Sequence, residues 1–567
     1  MTVELPEQQR VELDDRIGEL ARGAARWAGL KPRDRAEILR EAQRATAAEG
    51  GSWAGTGTAA KRTPPGPYEG EEWMSGPGAT AQMLGAYADT LDKLDRGESA
   101  IEGVALGTAP GGRTTVKVLP SDGKDALIFN GFTAEVWLQP GVSAEQAKQR
   151  AGLAAAGTGA SAGVGLVLGA GNISSIGPLD VVYELVAHGR TSVLKLNPTF
   201  QNLKPCYERA LAPLIERELV RVVTGGAEVG AYLAEHPDIA HVHITGSART
   251  HDAIVWGTGD EAERNREAGT PKLDKEITSE LGGVSPIIVV PGRWSKGELR
   301  FQAEHVVTQR LHNSGHNCIG GQSMLISAEW PQKDEFLAAI REVLAEIRPR
   351  EPWYPGAADS IERARAAYPG AEQVGSCLLV ELGEDSPTDL YDGEYFAAVL
   401  GITELPGTGS EFLANAVEFS NGRLDGTLGA SVIAHPREIK AMGSRFDDLV
   451  AELRYGAVGV NVWSGIAFLL PGAAWGAYPG HTPADVGSGI GVVHNAHLLA
   501  DTEKTVVRGP FHPFPASVLN GEFSASPRPP WFVTARTAAS VGRNLVALGG
   551  RRSWLNAAKL VPPAMFG

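Results

Sequence analysis

The stretch Gly163-Val164-Gly165-Leu166-Val167-Leu168-Gly169-Ala170-Gly171-Asn172-Ile173-Ser174 is a short apolar run that breaks into a glycine turn. It reads as a strand over 163–168 feeding a loop. The pattern then repeats downstream: a helix through 178–188, a strand at 192–196, a helix through 205–218, a strand at 220–224, a helix through 227–236 and a strand at 241–245. Apolar runs alternating with helical segments predict βαβ units and a mostly parallel sheet. Strand candidates at 286–290, 324–326, 377–381 and 398–403 predict a second α/β section.

Upstream, apolar residues recur at helical spacing from 11 to about 48, with Pro32 opening a second helix. Residues 50–78, rich in Gly, Pro, Ser and Thr, read as a long surface connection, and a helix resumes over 79–94. Three strands are expected at 114–119, 126–129 and 133–139, with Asn130-Gly131 as a hairpin turn between the last two.

With 567 residues, 43% hydrophobic and 21% charged, the chain is long enough for two or three domains, each with its own core. A net charge of −15 argues against a phosphate-backbone partner, so nucleic acid is not expected. Only Cys206, Cys318 and Cys377 occur, too few for a disulfide framework, and no Cys/His cluster has metal-site spacing. Acids at Glu7, Glu12, Asp14 and Asp15 do not suit a secretory signal, and a cytoplasmic location is the expectation.

After Glu522 the chain carries no acid but six bases, Arg528, Arg536, Arg543, Arg551, Arg552 and Lys559, interspersed with Trp531, Phe532, Leu545, Leu548 and Trp554. An amphipathic arm for an anionic membrane surface is one reading. Packing on its own or a neighbouring acidic subunit is the preferred one.

Chemistry concentrates at Asn313-Ser314-Gly315-His316-Asn317-Cys318-Ile319-Gly320-Gly321-Gln322, a cysteine among glycines and amides, with Glu280-Leu281-Gly282-Gly283 upstream. A thiol attacks a carbonyl as thiolate, for which an electropositive, donor-rich and partly open setting is expected. A small buried cysteine beside a tight turn is the plain alternative. Asn172 could offer an amide N–H to a tetrahedral oxyanion, together with the Cys318 backbone N–H, and Glu280 could activate water if burial raises its pKa. Gly169-x-Gly171 imitates a dinucleotide fingerprint, but Ser174 holds the third glycine position and no acid ends the next strand, so a conventional Rossmann reading is poor.

Taken in order, these blocks resemble the aldehyde dehydrogenase superfamily over about 110–510. Leu194-Lys195-Leu196-Asn197-Pro198 is similar to the family's cofactor-lysine block, Ile244-Thr245-Gly246-Ser247 to its Thr-Gly-Ser block, and Glu394-Tyr395-Phe396 to its Glu-x-Phe pair. The resemblance implies Cys318 as nucleophile, Glu280 as general base and Asn172 as oxyanion donor. It implies Lys195, Gly246, Ser247, Gly282, Glu394 and Phe396 as contacts to NAD or NADP, and no metal. Pro198 stands where the family commonly has an adenosine-ribose acid, so neither dinucleotide is favoured.

The implied architecture is aldehyde-dehydrogenase-like: two α/β domains with open, mostly parallel sheets plus a β-ribbon oligomerisation arm. Its expected divisions are an N-terminal helical segment (1–112) packed on the cofactor domain, a ribbon (113–140, with about 492–509), an NAD(P)-binding domain (141–277), a catalytic domain (278–460), a return segment (461–491) and a basic extension (510–567). The expected activity is NAD(P)-dependent oxidation of an aldehyde by a homodimer or homotetramer. A CoA-acylating relative and a catalytically retired scaffold are the alternatives. Trp463, Phe468 and Trp475 hint at an apolar or aromatic aldehyde, or are core.

Overall fold

The computed structural model describes residues 5–156 and 162–567. Two sheets organise it. The first has six strands in the order Gly489–Ile490, Glu276–Leu281, Ile239–Gly246, Val164–Leu168, Thr191–Lys195 and Val220–Val223, parallel except for the short Gly489–Ile490. Helices Ile176–His188 and Ala227–Glu235 connect its strands, as the alternating sequence requires. Ile176–His188 is buried almost throughout, which explains its unbroken apolar run Val181–Val182 and Leu185–Ala187.

The second sheet has eleven strands. Its parallel centre runs Thr502–Arg508, Ala457–Val460, Gly429–Ile433, Ser285–Val289, Gly321–Ser327, Val399–Leu405 and Cys377–Leu382. Antiparallel strands extend both ends: Glu372–Val374 on one, and Thr133–Leu138, Arg113–Leu119 and Leu106–Ala109 on the other. The expected ribbon thus continues its own chain's large sheet, joined to it through Thr502–Arg508. The architecture is mixed α/β with two mostly parallel sheets, the fold class expected from the sequence.

Two expectations are corrected. Residues 126–129 lie in a helix, Gly123–Ile128, because Asp122 caps it by accepting from the Lys124 and Asp125 N–H groups (2.8 and 2.9 Å); no hairpin forms at Asn130-Gly131. Residues 50–78 are no surface connection: helix Pro32–Ala60 runs on, helix Glu69–Trp73 follows, and Met74–Gly78 makes a fully buried wide turn. Their small residues allow close helix approach rather than solvation; a Cβ on Gly70 would lie 2.4 Å from the Ala538 carbonyl carbon. Within this chain the basic extension makes ion pairs with acids of the body. Arg528 makes a paired contact with Glu304 (2.6 and 3.0 Å), and Arg552 reaches Asp122 and Asp125 (3.1 and 2.6 Å).

Helix Ala538–Gly550 lays Val541, Leu545 and Leu548 onto a core shared with Val116, Val136 and Phe132 of the ribbon. No helix among the described residues is long and apolar enough to cross a membrane.

Candidate active site

Helix Lys296–Leu311 carries the chain into the nucleophile loop, where Asn313, Ser314 and Gly315 take left-handed φ values of 56°, 58° and 85°. Gly315 is required there, since a Cβ would sit 3.0 Å from the Ala398 backbone nitrogen. The fully buried Arg310 ties the loop from beneath, donating from Nη2 to the Gly315 carbonyl at 2.6 Å. Cys318 follows in the turn before strand Gly321–Ser327.

The Glu280 carboxyl, at the end of strand Glu276–Leu281, lies beside the Cys318 thiol, and Trp475 Nε1 donates to that carboxyl at 3.4 Å. Burial pushes the Glu280 carboxyl up to about 7, further aided by the negative charge of Asp180. Burial and the neighbouring Glu280 push the Cys318 thiol well above its usual range. This differs from the expected electropositive setting. The charged groups that act on the sulfur are the carboxyls of Glu280 and Glu394.

Asn172 is buried on the loop after strand Val164–Leu168, and its Nδ2 donates to the His316 carbonyl at 3.1 Å. Asn313 Nδ2 donates to the Asn172 and His316 carbonyls, each at 3.0 Å, so the two loops are stitched together. The His316 Nδ1–H donates to the Phe396 carbonyl at 2.8 Å, and burial takes that imidazole down to about 4, keeping it neutral.

Glu394 lies beside the Cys318–Glu280 pair. Burial pushes its carboxyl well above the usual range, although Arg310 opposes this, and no side-chain hydrogen bond holds it among the described residues. Gly282 makes its space: a Cβ there would meet Glu394 Oε2 at 1.9 Å. Phe396, at φ 48°, rests edge-on against Tyr354 with centroids 4.8 Å apart. Lys195 ends strand Thr191–Lys195, buried, with Glu228 as its nearest counter-charge. Gly246 and Ser247 are exposed at the end of strand Ile239–Gly246, and Ser247 Oγ caps helix Ala248–Trp256 by accepting from Thr250 N–H at 3.2 Å. The fold therefore gathers Cys318, Glu280, Glu394 and Gly282 in one place with Asn172 bound to the same loop. Lys195, Gly246 and Ser247 stand at the carboxyl ends of the two parallel strands that flank Val164–Leu168, where open α/β sheets bind ligands.

Sequence reading missed the support beneath these loops. Glu71 Oε2 accepts the Asn313 backbone N–H at 3.0 Å and pairs with Arg350 at 2.7 Å. Glu72 pairs with the buried Lys61 at 2.7 Å and accepts from Ser174 Oγ, which also receives Trp53 Nε1–H at 2.8 Å. Adjacent acids thus hold the nucleophile loop and the Asn172 loop. Trp53, Trp73 and Met74 were the available signal, since such residues do not suit a solvated connection.

The fold also brings Glu298, His435 and His512 together, their ligand atoms within 4.8 Å of one another. Protein hydrogen bonds already use these groups. His512 sits between Glu298 Oε1 (2.9 Å) and Glu522 Oε2 (2.8 Å), and His435 Nδ1 accepts from Arg437 N–H at 3.0 Å. The arrangement is an imidazole bracketed by carboxylates that pins the C-terminal extension.

Similar folds occur among solved structures. A Mycobacterium tuberculosis aldehyde dehydrogenase complexed with NAD+ matches with a TM-score of 0.59 and 19% identity, covering 88% of this chain and 90% of that one. An NAD-dependent aldehyde dehydrogenase from Sinorhizobium meliloti matches with a TM-score of 0.55 and 17% identity, covering 88% and 86%. A mutant aldehyde dehydrogenase C from Pseudomonas syringae, complexed with NAD+ and octanal, matches with a TM-score of 0.55 and 16% identity, covering 88% of each chain. The architecture is therefore the aldehyde dehydrogenase fold. The model of the aldehyde dehydrogenase family matches residues 161–358, which hold the Asn172, Lys195, Glu280 and Cys318 blocks.

Proposed function

We propose that this enzyme oxidises an aldehyde to its carboxylic acid with NAD or NADP, through a thioester on Cys318. The observation that carries the reading is the placement of Cys318 beside the buried Glu280, a candidate nucleophile next to a carboxyl that titrates at about 7. Glu280 takes the thiol proton as sulfur bonds to the aldehyde carbon, and the carbonyl oxygen becomes an oxyanion. For the amide of Asn172 to stabilise that oxyanion, the second Nδ2 hydrogen is available, the first being given to His316. Collapse of the oxyanion expels hydride and leaves a thioester. Glu280 releases that first proton to solvent, accepts another from water as the water attacks the thioester, and returns it to the departing sulfur, so that acid and free thiol are released.

A bound NAD or NADP supplies the two-electron acceptor for that hydride. The residues present suit one. The Glu394 carboxylate is free of side-chain partners and can accept from ribose hydroxyls, Phe396 flanks it, and Lys195 and the Ser247 helix start supply positive character for hydroxyls or phosphate. The M. tuberculosis, S. meliloti and P. syringae relatives are described with NAD, which supports the same class of cofactor here.

The test is dinucleotide reduction at 340 nm, with acid quantified in the absence of CoA, for the wild type and Cys318→Ala. Acid formation without CoA that vanishes in the variant is expected. Strict dependence on CoA would turn the reading to the acylating reaction, and no reduction with any aldehyde would leave a retired scaffold.

A further inference from the structure

A cavity of about 210 Å3 lies between the C-terminal extension and the turn Ser464–Leu469. Trp531, Val541, Leu545 and Leu560 wall it from the extension, and Ile466 and Leu469 from the turn. Its lining includes no Asp, Glu, Lys or Arg. Most polar side chains that reach it are engaged with backbone: Asn130 Nδ2 donates to Leu127 O at 2.9 Å and its Oδ1 accepts from Ala525 N–H at 2.8 Å, Ser526 Oγ donates to Arg528 O at 2.6 Å, Ser524 Oγ accepts from Ser526 N–H at 3.5 Å, and Gln82 Nε2 donates to Gly78 O at 3.3 Å. Among the described residues the Trp531 Nε1–H is buried without a partner, and the rest of the lining is mostly hydrocarbon, a surface that favours an apolar occupant over water.

The cavity and the thiol border the same apolar cluster. Phe468 packs on Ala170, Ile173 and Ile176 around Asn172 and touches Trp475 with centroids 5.3 Å apart, and Trp475 is the residue bonded to Glu280. The next residue, Leu469, lines the cavity. Cys318 itself packs on the apolar cluster that includes Met74, Ile466, Trp531 and Leu545. Two wall residues reach solvent, Leu127 (39% exposed) and Met565 (42%), so the cavity opens to the surface at its own rim.

We infer that this cavity receives the hydrocarbon part of the aldehyde, and that the C-terminal extension makes the enzyme selective for aldehydes carrying an extended apolar chain or ring. The assignment rests on the proposed function for its chemistry, and on the cavity's position for its specificity. An apolar cavity of about 150 Å3 accommodates benzene, so this one holds an occupant somewhat larger than a single ring. Each buried methylene strengthens binding roughly fourfold while space lasts.

The test pairs kinetics with binding. Saturated aldehydes from acetaldehyde to decanal are compared for kcat/KM in the wild-type full chain, in Leu545→Trp, which fills the cavity, and in Ala564→Phe, a milder filling at its edge should the first variant not fold. In parallel, decanol binding to the Cys318→Ala protein is measured by calorimetry, with and without Leu545→Trp or Ala564→Phe. Expected are a kcat/KM that climbs with chain length and then levels off, and a loss of about tenfold or more for decanal and decanol in the filled variants with acetaldehyde kinetics unchanged. A profile flat with chain length, or decanol binding that the filling variants do not weaken, overturns the assignment. Decanol binding abolished by filling, with no aldehyde of any length oxidised, would sink the proposed function while upholding the apolar site.

Discussion

Glu71 accepts the backbone N–H of Asn313 at 3.0 Å, joining the end of the N-terminal helical segment to the first residue of the nucleophile loop. Although burial alone would raise its pKa, Arg350 and His312 hold the Glu71 carboxyl below the usual range, so a charged acceptor sits in the interior. Charge-assisted bonds of this kind are short and strong, and they fix a loop that has three consecutive left-handed residues.

Removing one partner of a buried pair leaves the other charge unpaired, at a cost of about 3–5 kcal/mol. Glu71→Gln strands Arg350. A lowered melting temperature is expected, and in the folded fraction a fall in kcat greater than the change in KM, because the loop carrying Cys318 loses its anchor. A variant with unchanged kcat would show that the contact supports stability alone.

Glu280 sets the pH response. Its folded-state carboxyl titrates near 7, against an ordinary value of 4.5, so the base form appears as pH rises through about 7 and activity rises with it. The stability consequence has the opposite sign. A raised acid pKa contributes stability that is complete below 4.5 and lost as pH climbs toward 7, about 3 kcal/mol in order of magnitude. Glu280→Gln should abolish acid release yet raise the melting temperature above pH 7; a variant no more stable than wild type there would contradict the buried charge.

Gly315→Ala forces a Cβ to 3.0 Å from Ala398 N at φ 85°. A stability loss of roughly 1–3 kcal/mol is expected, with slower reaction of Cys318 toward iodoacetamide or substrate as the loop shifts. Urea unfolding and alkylation rate measure the two separately.

The strand Leu106–Ala109 leaves one edge of the large sheet unpaired, and its Gly107 and Thr108 are exposed. We propose that a second copy covers this edge, giving the homodimer or homotetramer that the family resemblance implies. Sedimentation of the wild type against Thr108→Pro, which removes a strand N–H, is the check. Dissociation on substitution is expected, and a wild type that sediments as a monomer would refute it.

Much of the α/β framework was legible in the chain, because runs such as Leu166–Val167–Leu168 and Val220–Arg221–Val222–Val223 are short, apolar and separated by helical periods, a local signal that burial in a parallel sheet reinforces. The nucleophile, base and oxyanion candidates were legible for a related reason: their glycines and amides are needed within a few residues, so Gly282 and Gly315 mark Glu280 and Cys318 in sequence. The helix at Gly123–Ile128 was not, since the Asp122 cap outweighs the strand tendency of Ala126–Phe129.

By itself the sequence determined which segments are strands and helices in most of the two α/β sections, and which residues are candidates for the chemistry, because periodicity and short motifs act over a turn or two of chain. Only the tertiary structure decided that Glu71 and Glu72 brace the two catalytic loops, that the sulfur lies among carboxyls, and that the basic extension turns back to wall an apolar cavity. Those outcomes depend on burial and on pairings between residues distant along the chain, such as Arg528 with Glu304, whose energies exist only once solvent has been excluded from between them.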